Sequence, residues 1–116
     1  MDERIPLARP SITDAERSAL LRVLDGHMLT GGARLGEFEA AVAARSERSH
    51  AVAVSSGTAA LELGLWAMGV NAGDPVLVTA FGFPAGANAV TRLGARPLAV
   101  DVCPGRWSTD FELARR

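Results

Sequence analysis

The chain has 116 residues, with 12 basic and 13 acidic side chains for a net charge of −1, and is 48% hydrophobic. That length suits one domain or part of a larger one, and the composition is not that of a disordered chain. The balanced charge, with no basic block, argues against nucleic acid as a partner. All twelve basic residues are arginine, so the sequence contains no lysine. A single cysteine, Cys103, excludes an internal disulfide and any zinc-type spacing. His27 and His50 stand too far apart to suggest a metal pair, so no metal is expected. No apolar stretch is long and unbroken enough to suggest a membrane span, and no signal peptide is visible. A cytoplasmic location is the expectation.

Pro6 and Pro10 predict an extended start over 1–12. Thr13-Asp14-Ala15-Glu16 has the spacing of a capping box, which predicts a helix running to about Leu24. Thr30-Gly31-Gly32 predicts a loop, and a second helix is expected from Leu35 to about Ala44. Residues 45–50 read as a surface turn. Ala51-Val52-Ala53-Val54 is a short apolar run that predicts a buried strand. A third helix is expected over Ala59–Met68, with Leu61, Leu65 and Met68 on one face. Turn residues 71–75 precede a second strand at Val76–Val78. A fourth helix is predicted from Pro84 to Leu93 and a third strand from Pro97 to Val102, ending near Asp101. Asp110 is placed to cap a last helical turn. The order helices, then strand-helix-strand-helix-strand, predicts an α/β fold with right-handed crossovers and a largely parallel sheet.

Ser55-Ser56-Gly57-Thr58 joins a predicted strand to a predicted helix. The first N–H groups of a helix lack internal partners and, with the helix dipole, favour an anion. Gly57 leaves room for close approach, and Ser56 and Thr58 add hydroxyls. Two readings stand at this point: a phosphate cradle, or a helix cap and nothing more. Phe81-Gly82-Phe83 follows the second strand, where loops of an α/β sheet line a ligand crevice. An aromatic there either stacks on a flat ring or packs in the core. Asp101, also at a strand end, either contacts ligand or caps a loop.

Taken in order, these segments resemble the DegT/DnrJ/StrS family of PLP-dependent, fold type I enzymes, mostly aminotransferases acting on nucleotide-linked keto-sugars. The resemblance rests on Ile5 to Pro10, Leu29-Thr30-Gly31-Gly32, Glu37-Phe38-Glu39, Ala53 to Leu61, Gly73-Asp74-Pro75-Val76, Phe83 to Val90, Gly94 to Pro97 and Val100-Asp101-Val102. It implies that Ser56, Gly57 and Thr58 hold the phosphate of pyridoxal 5′-phosphate, and that Phe83 stacks on its pyridine ring. It implies that Thr30 and Gly31 lie near the sugar site at a subunit interface, and that the parent enzyme is a homodimer using a keto-sugar nucleotide and an amino donor. Gly82 departs from the family, which commonly has Thr there.

On this resemblance, residues 1–116 correspond to an incomplete N-terminal portion of the PLP-binding large domain. The carboxylate partner of the pyridine nitrogen, the catalytic lysine and the small C-terminal domain are expected further along. With no lysine, the chain alone is expected to be inactive, and no residue of it is assigned a catalytic role. Two alternatives remain: a non-enzymatic truncated remnant with uncovered apolar faces, and a small anion-binding α/β module unrelated to PLP.

Overall fold

The computed structural model describes residues 4–110 and 112–115. The chain divides into two compact units, residues 1–53 and 54–116.

The first unit holds α1 (Asp14–Leu24) and α2 (Ala33–Arg45). The capping box starts α1 as expected: the Thr13 hydroxyl accepts from the Ala15 amide at 3.3 Å, and the Thr13 amide donates to Glu16 Oε2 at 2.6 Å. The Thr13 hydroxyl also donates to the same carboxylate. These bonds, the hydroxyl's first and the Thr13 amide's second, hold the Glu16 carboxyl below its ordinary value. A carboxyl lowered in the folded state stabilises only while ionised. The contribution of the cap is therefore complete above the usual glutamate range of about 4.3, and is lost as pH falls through the lower folded value. Amide chemical shifts of Ala15–Arg17 are expected to report that loss on acid titration, and Thr13→Ala is expected to abolish it.

Gly32 precedes α2 without a side-chain cap, while Arg34 and Glu37 pair one turn apart at 2.5 Å. At the other end the helix is closed by amides folding back: Arg48 donates to the Ala43 carbonyl at 2.9 Å, with Glu47 left-handed at φ 54°. This is the surface turn expected over 45–50. The strand expected at Ala51–Val54 does not form. Those residues make no ladder, and Val52 is exposed. The Ala53 amide instead donates to the Glu39 carboxylate on α2, at 2.8 Å. An apolar run can satisfy the pattern of a strand, yet a strand exists only where a partner ladder meets it.

The second unit is mixed α/β, with α3 (Gly57–Ala67), β1 (Pro75–Thr79), α4 (Ala85–Arg92) and β2 (Arg96–Val100). β1 and β2 pair in parallel, in the register Val76↔Pro97, Leu77↔Leu98, Val78↔Ala99, with α4 as the connection. Val76 and Val78 are half-buried while Pro75, Leu77 and Thr79 are exposed, the period-two alternation of a strand with one covered face. The core is small and sits under α4: Ala89, Val90, Ala95 and Val100 are buried, and Val90 is the largest fully buried side chain among the described residues. α3 packs chiefly on α4, and Arg92 reaches Glu62 across that contact at 2.6 Å.

Two turns set the sheet. Asp74 Oδ2 accepts from the Asn71 amide at 2.8 Å, and the Gly73 amide donates to the Gly94 carbonyl at 2.9 Å. Gly94 is left-handed at φ 73°, and a β-carbon there would sit 3.1 Å from the Ala72 β-carbon. Beyond β2, Val102 bridges Thr109 in antiparallel fashion, closing a short hairpin. The strand expected to reach Val102 thus stops at Val100 and changes partner. Asp110 Oδ1 accepts from the Glu112 and Leu113 amides at 3.0 Å each, capping the short 3₁₀ turn Leu113–Arg115. That is the cap expected from the sequence.

Candidate cofactor phosphate site

The extended segment before α3 turns into the helix at Ser56, whose hydroxyl oxygen accepts from the Ala59 amide at 3.1 Å. Ser56 is therefore the helix cap, and its oxygen is already engaged. The Ala60 amide bonds back to the Ser56 carbonyl at 3.0 Å, as the regular ladder begins. Among the described residues, the Gly57 and Thr58 amides and the Thr58 hydroxyl have no hydrogen-bond partner. A β-carbon placed on Gly57 would meet nothing within 4 Å, so the helix end faces open space. No acidic side chain stands in the first turn to occupy that positive end. Two free amides, one free hydroxyl and room for an atom-sized group fit a phosphate ester.

Phe83 lies in the loop between β1 and α4 and is 87% exposed, so it is not a core residue. Thr79 donates its hydroxyl to the Phe81 carbonyl at 3.2 Å, which folds the loop over the strand end. A β-carbon on Gly82 would come 3.1 Å from the Thr79 methyl, which explains why the smallest residue fits here. Phe83 borders a largely apolar cavity of about 490 Å³ bounded by Leu61 and Leu65 of α3, Val76 and Val78 of β1, and Val90 of α4. Ser56, Gly57 and Thr58 do not line it. Ser56–Thr58 and Phe83 therefore share one unit, in which α3 packs on α4, but not one cavity wall.

Thr30 and Gly31 belong to the first unit, in the loop between α1 and α2. Gly31 is left-handed at φ 63°, and it borders an open hollow with Arg22, His27, Leu29 and Phe38. Asp101 uses its carboxylate on the adjacent Val102 amide at 2.8 Å, so it serves as a loop cap. Cys103 is a half-buried free thiol in the hairpin. Among the described residues no group of three potential metal ligands converges, and no helix is long and apolar enough to cross a membrane. Two features escaped sequence reasoning. Glu39 holds the Ala53 amide, and Trp107 packs on Phe81 with ring centroids 4.7 Å apart. Both are contacts across 14 or more positions and leave no periodic trace.

A parallel α/β unit with an anion-ready helix terminus after an extended segment, and an aromatic after the next strand, describes the opening portion of a sugar-aminotransferase fold. A protein of Streptococcus pneumoniae assigned as a sugar aminotransferase, solved in its PLP form, superposes with a TM-score of 0.88 at 33% identity over 95% of this chain. The model of the DegT/DnrJ/EryC1/StrS aminotransferase family matches residues 10–116, and the chain belongs to that family. Among curated relatives, the UDP-4-amino-4-deoxy-L-arabinose–oxoglutarate aminotransferase of Shewanella sediminis is 35% identical over 97% of this chain. The 3-amino-5-hydroxybenzoate synthase of Amycolatopsis mediterranei is 42% identical over 90% of it. The chain spans only 29% and 28% of those two relatives' lengths, and 28% of the Streptococcus structure.

Proposed function

We propose that residues 1–116 supply the phosphate cradle and ring platform of a PLP-dependent aminotransferase acting on a nucleotide-linked keto-sugar. The observation that carries this is the start of α3, where the Gly57 and Thr58 amides and the Thr58 hydroxyl have no partner among the described residues and face open space. In this reading those three groups bind the cofactor's phosphate and fix its position. Ser56 keeps the helix end in shape through its bond to Ala59. Phe83, outward and unpacked, offers its face to the pyridine ring. When bound, the cofactor supplies an electron sink for amino transfer. Thr30 and Gly31 line the sugar side of the site in a homodimer. The name of the Shewanella relative, which joins an amino sugar nucleotide to oxoglutarate, supports the substrate class and glutamate as donor.

The lysine that such chemistry uses as base and covalent anchor is not among these residues. It belongs to sequence outside them, along with the nitrogen's carboxylate partner and a small C-terminal domain. The test is an amino-transfer assay with PLP, glutamate and a UDP-linked 4-keto sugar. The 116-residue chain is expected to give no turnover, and the reading frame extended to a lysine-bearing segment is expected to give turnover. Turnover by the lysine-free chain, or an extended frame that carries no such segment, contradicts the proposal.

A further inference from the structure

We infer that Trp107 is a positioning residue for the cofactor ring, acting through Phe81 on the loop that carries Phe83. The inference rests on the cofactor site proposed above. The loop from Ala80 to Phe83 is lightly held. The Ala80 amide donates to the Val100 carbonyl at 2.8 Å, and the Thr79 hydroxyl reaches the Phe81 carbonyl. Among the described residues, the amides of Phe81, Gly82 and Phe83 have no partner. Gly82, between the two aromatics, adds no side chain to restrain the backbone. Phe83 itself is outward and makes no ring contact among the described residues. Left to these bonds, the aromatic offered to the ring would sample many orientations, and binding would have to order it.

The contact that restrains the loop comes from the hairpin after β2. That hairpin is firmly latched: Val102 bridges Thr109, the Cys103 amide donates to the Ser108 carbonyl at 3.0 Å, and the Asp110 amide donates to the Asp101 carbonyl at 2.9 Å. The Arg106 amide closes its tip on the Cys103 carbonyl at 3.0 Å. The hairpin thus brings Trp107 against Phe81, two residues past the end of β1. Its indole lies 4.7 Å from the Phe81 ring at an interplanar angle of 32°, a tilted stack. Both rings are well exposed, so the pair adds little to the core. A large aromatic held outside the core, against a loop neighbouring the ring platform, is placed to order that loop. Anchoring Phe81 fixes the direction in which Phe83, two residues on, leaves the backbone.

The probe is pyridoxamine 5′-phosphate, titrated calorimetrically into the full chain beside inorganic phosphate. Trp107→Ala is expected to weaken the pyridoxamine ligand about three- to tenfold, the range of an aromatic pair, and to leave inorganic phosphate unchanged. Trp107→Phe is expected to restore it. Phe81→Leu approaches the contact from the other side, and its effect is expected not to add to that of Trp107→Ala. Thr58→Ala separates the two layers of inference, because it is expected to weaken both ligands. Should Thr58→Ala weaken both while Trp107→Ala changes neither, the role of Trp107 is overturned and the cradle stands. Equal loss of both ligands in Trp107→Ala, or no rescue by Trp107→Phe, also overturns it. No effect of Thr58→Ala on either ligand overturns the underlying site.

Discussion

Thr58→Ala is expected to weaken binding of pyridoxamine 5′-phosphate by about tenfold or more, with the thermal midpoint of the chain nearly unchanged. Hydrogen bonds to a charged group are worth about 1.5–3 kcal/mol, and every 1.4 kcal/mol is about tenfold in affinity. Among the described residues the Thr58 hydroxyl has no partner, so its loss strands none of their groups. The neighbouring hydroxyl makes the contrast. Ser56 accepts from the Ala59 amide at 3.1 Å, so Ser56→Ala removes a helix cap and is expected to lower stability by about 1 kcal/mol. Two hydroxyl side chains two positions apart are thus expected to divide, one serving the fold and the other the proposed ligand. Calorimetric titration beside thermal melts of both variants reads the two effects separately. A loss of stability in Thr58→Ala equal to that of Ser56→Ala would contradict the division.

Gly94→Ala is expected to give the largest stability loss of any single methyl addition in the second unit. A left-handed conformation costs an alanine about 1–2 kcal/mol by itself. The added carbon also lies 3.1 Å from the Ala72 β-carbon, tighter than ordinary contact, so the turn before β1 must shift. That turn is bonded to Gly94 through the Gly73 amide, and the adjacent Arg96 amide donates to the Asp74 carbonyl at 2.8 Å. Strain at Gly94 therefore reaches both strands where their pairing begins. Total stability of a domain this size is about 5–15 kcal/mol at most, and this core is small, so the urea midpoint moves visibly. Gly57→Ala is the control. Gly57 has no left-handed φ and open space around its β-position, so stability is expected to hold while phosphate affinity falls. Equal midpoints for the two variants would contradict the reading of Gly94.

The elements legible in the sequence are those whose signals are local. Thr13 and Glu16 stand three residues apart and form the capping box that the spacing implies. Asp110 caps its turn for the same reason. All four helices lie within two residues of their expected bounds, because their apolar positions recur at helical spacing. α3 starts at Gly57, two residues before expectation, since Ser56 is the cap. The parallel pairing of β1 and β2 follows from a helix intervening between two short apolar runs. The segment 51–54 had the same apolar signal and failed as a strand, since pairing depends on what lies opposite and not on the run itself. Its backbone donor at Ala53 went to a glutamate 14 residues earlier.

The site was half legible. The Ser56–Thr58 loop was visible as a helix start open to two readings, phosphate cradle or plain cap; Ser56 is engaged as the cap, and among the described residues Gly57 and Thr58 keep donors without a partner. Asp101, equally ambiguous, is a loop cap. Trp107 left no sequence signal, because its contact with Phe81 exists only once the hairpin folds back. The apolar surface is the other feature that composition alone does not locate. α3 is apolar nearly all round, yet Leu61, Leu63 and Trp66 are all exposed. Helices of that pattern are ordinarily covered on every side.

The central claim is that the free donors at the start of α3 recognise the phosphate of a pyridine cofactor. Comparing pyridoxamine 5′-phosphate with unphosphorylated pyridoxamine in calorimetric titrations of the same chain tests it most directly. With no lysine present, covalent capture on a side-chain amine does not obscure the result. The phosphorylated ligand is expected to bind at least tenfold more tightly, the equivalent of about one charge-assisted bond, and Thr58→Ala is expected to remove most of that difference. Equal affinity for the two ligands, or a phosphate preference that Thr58→Ala leaves intact, would contradict it.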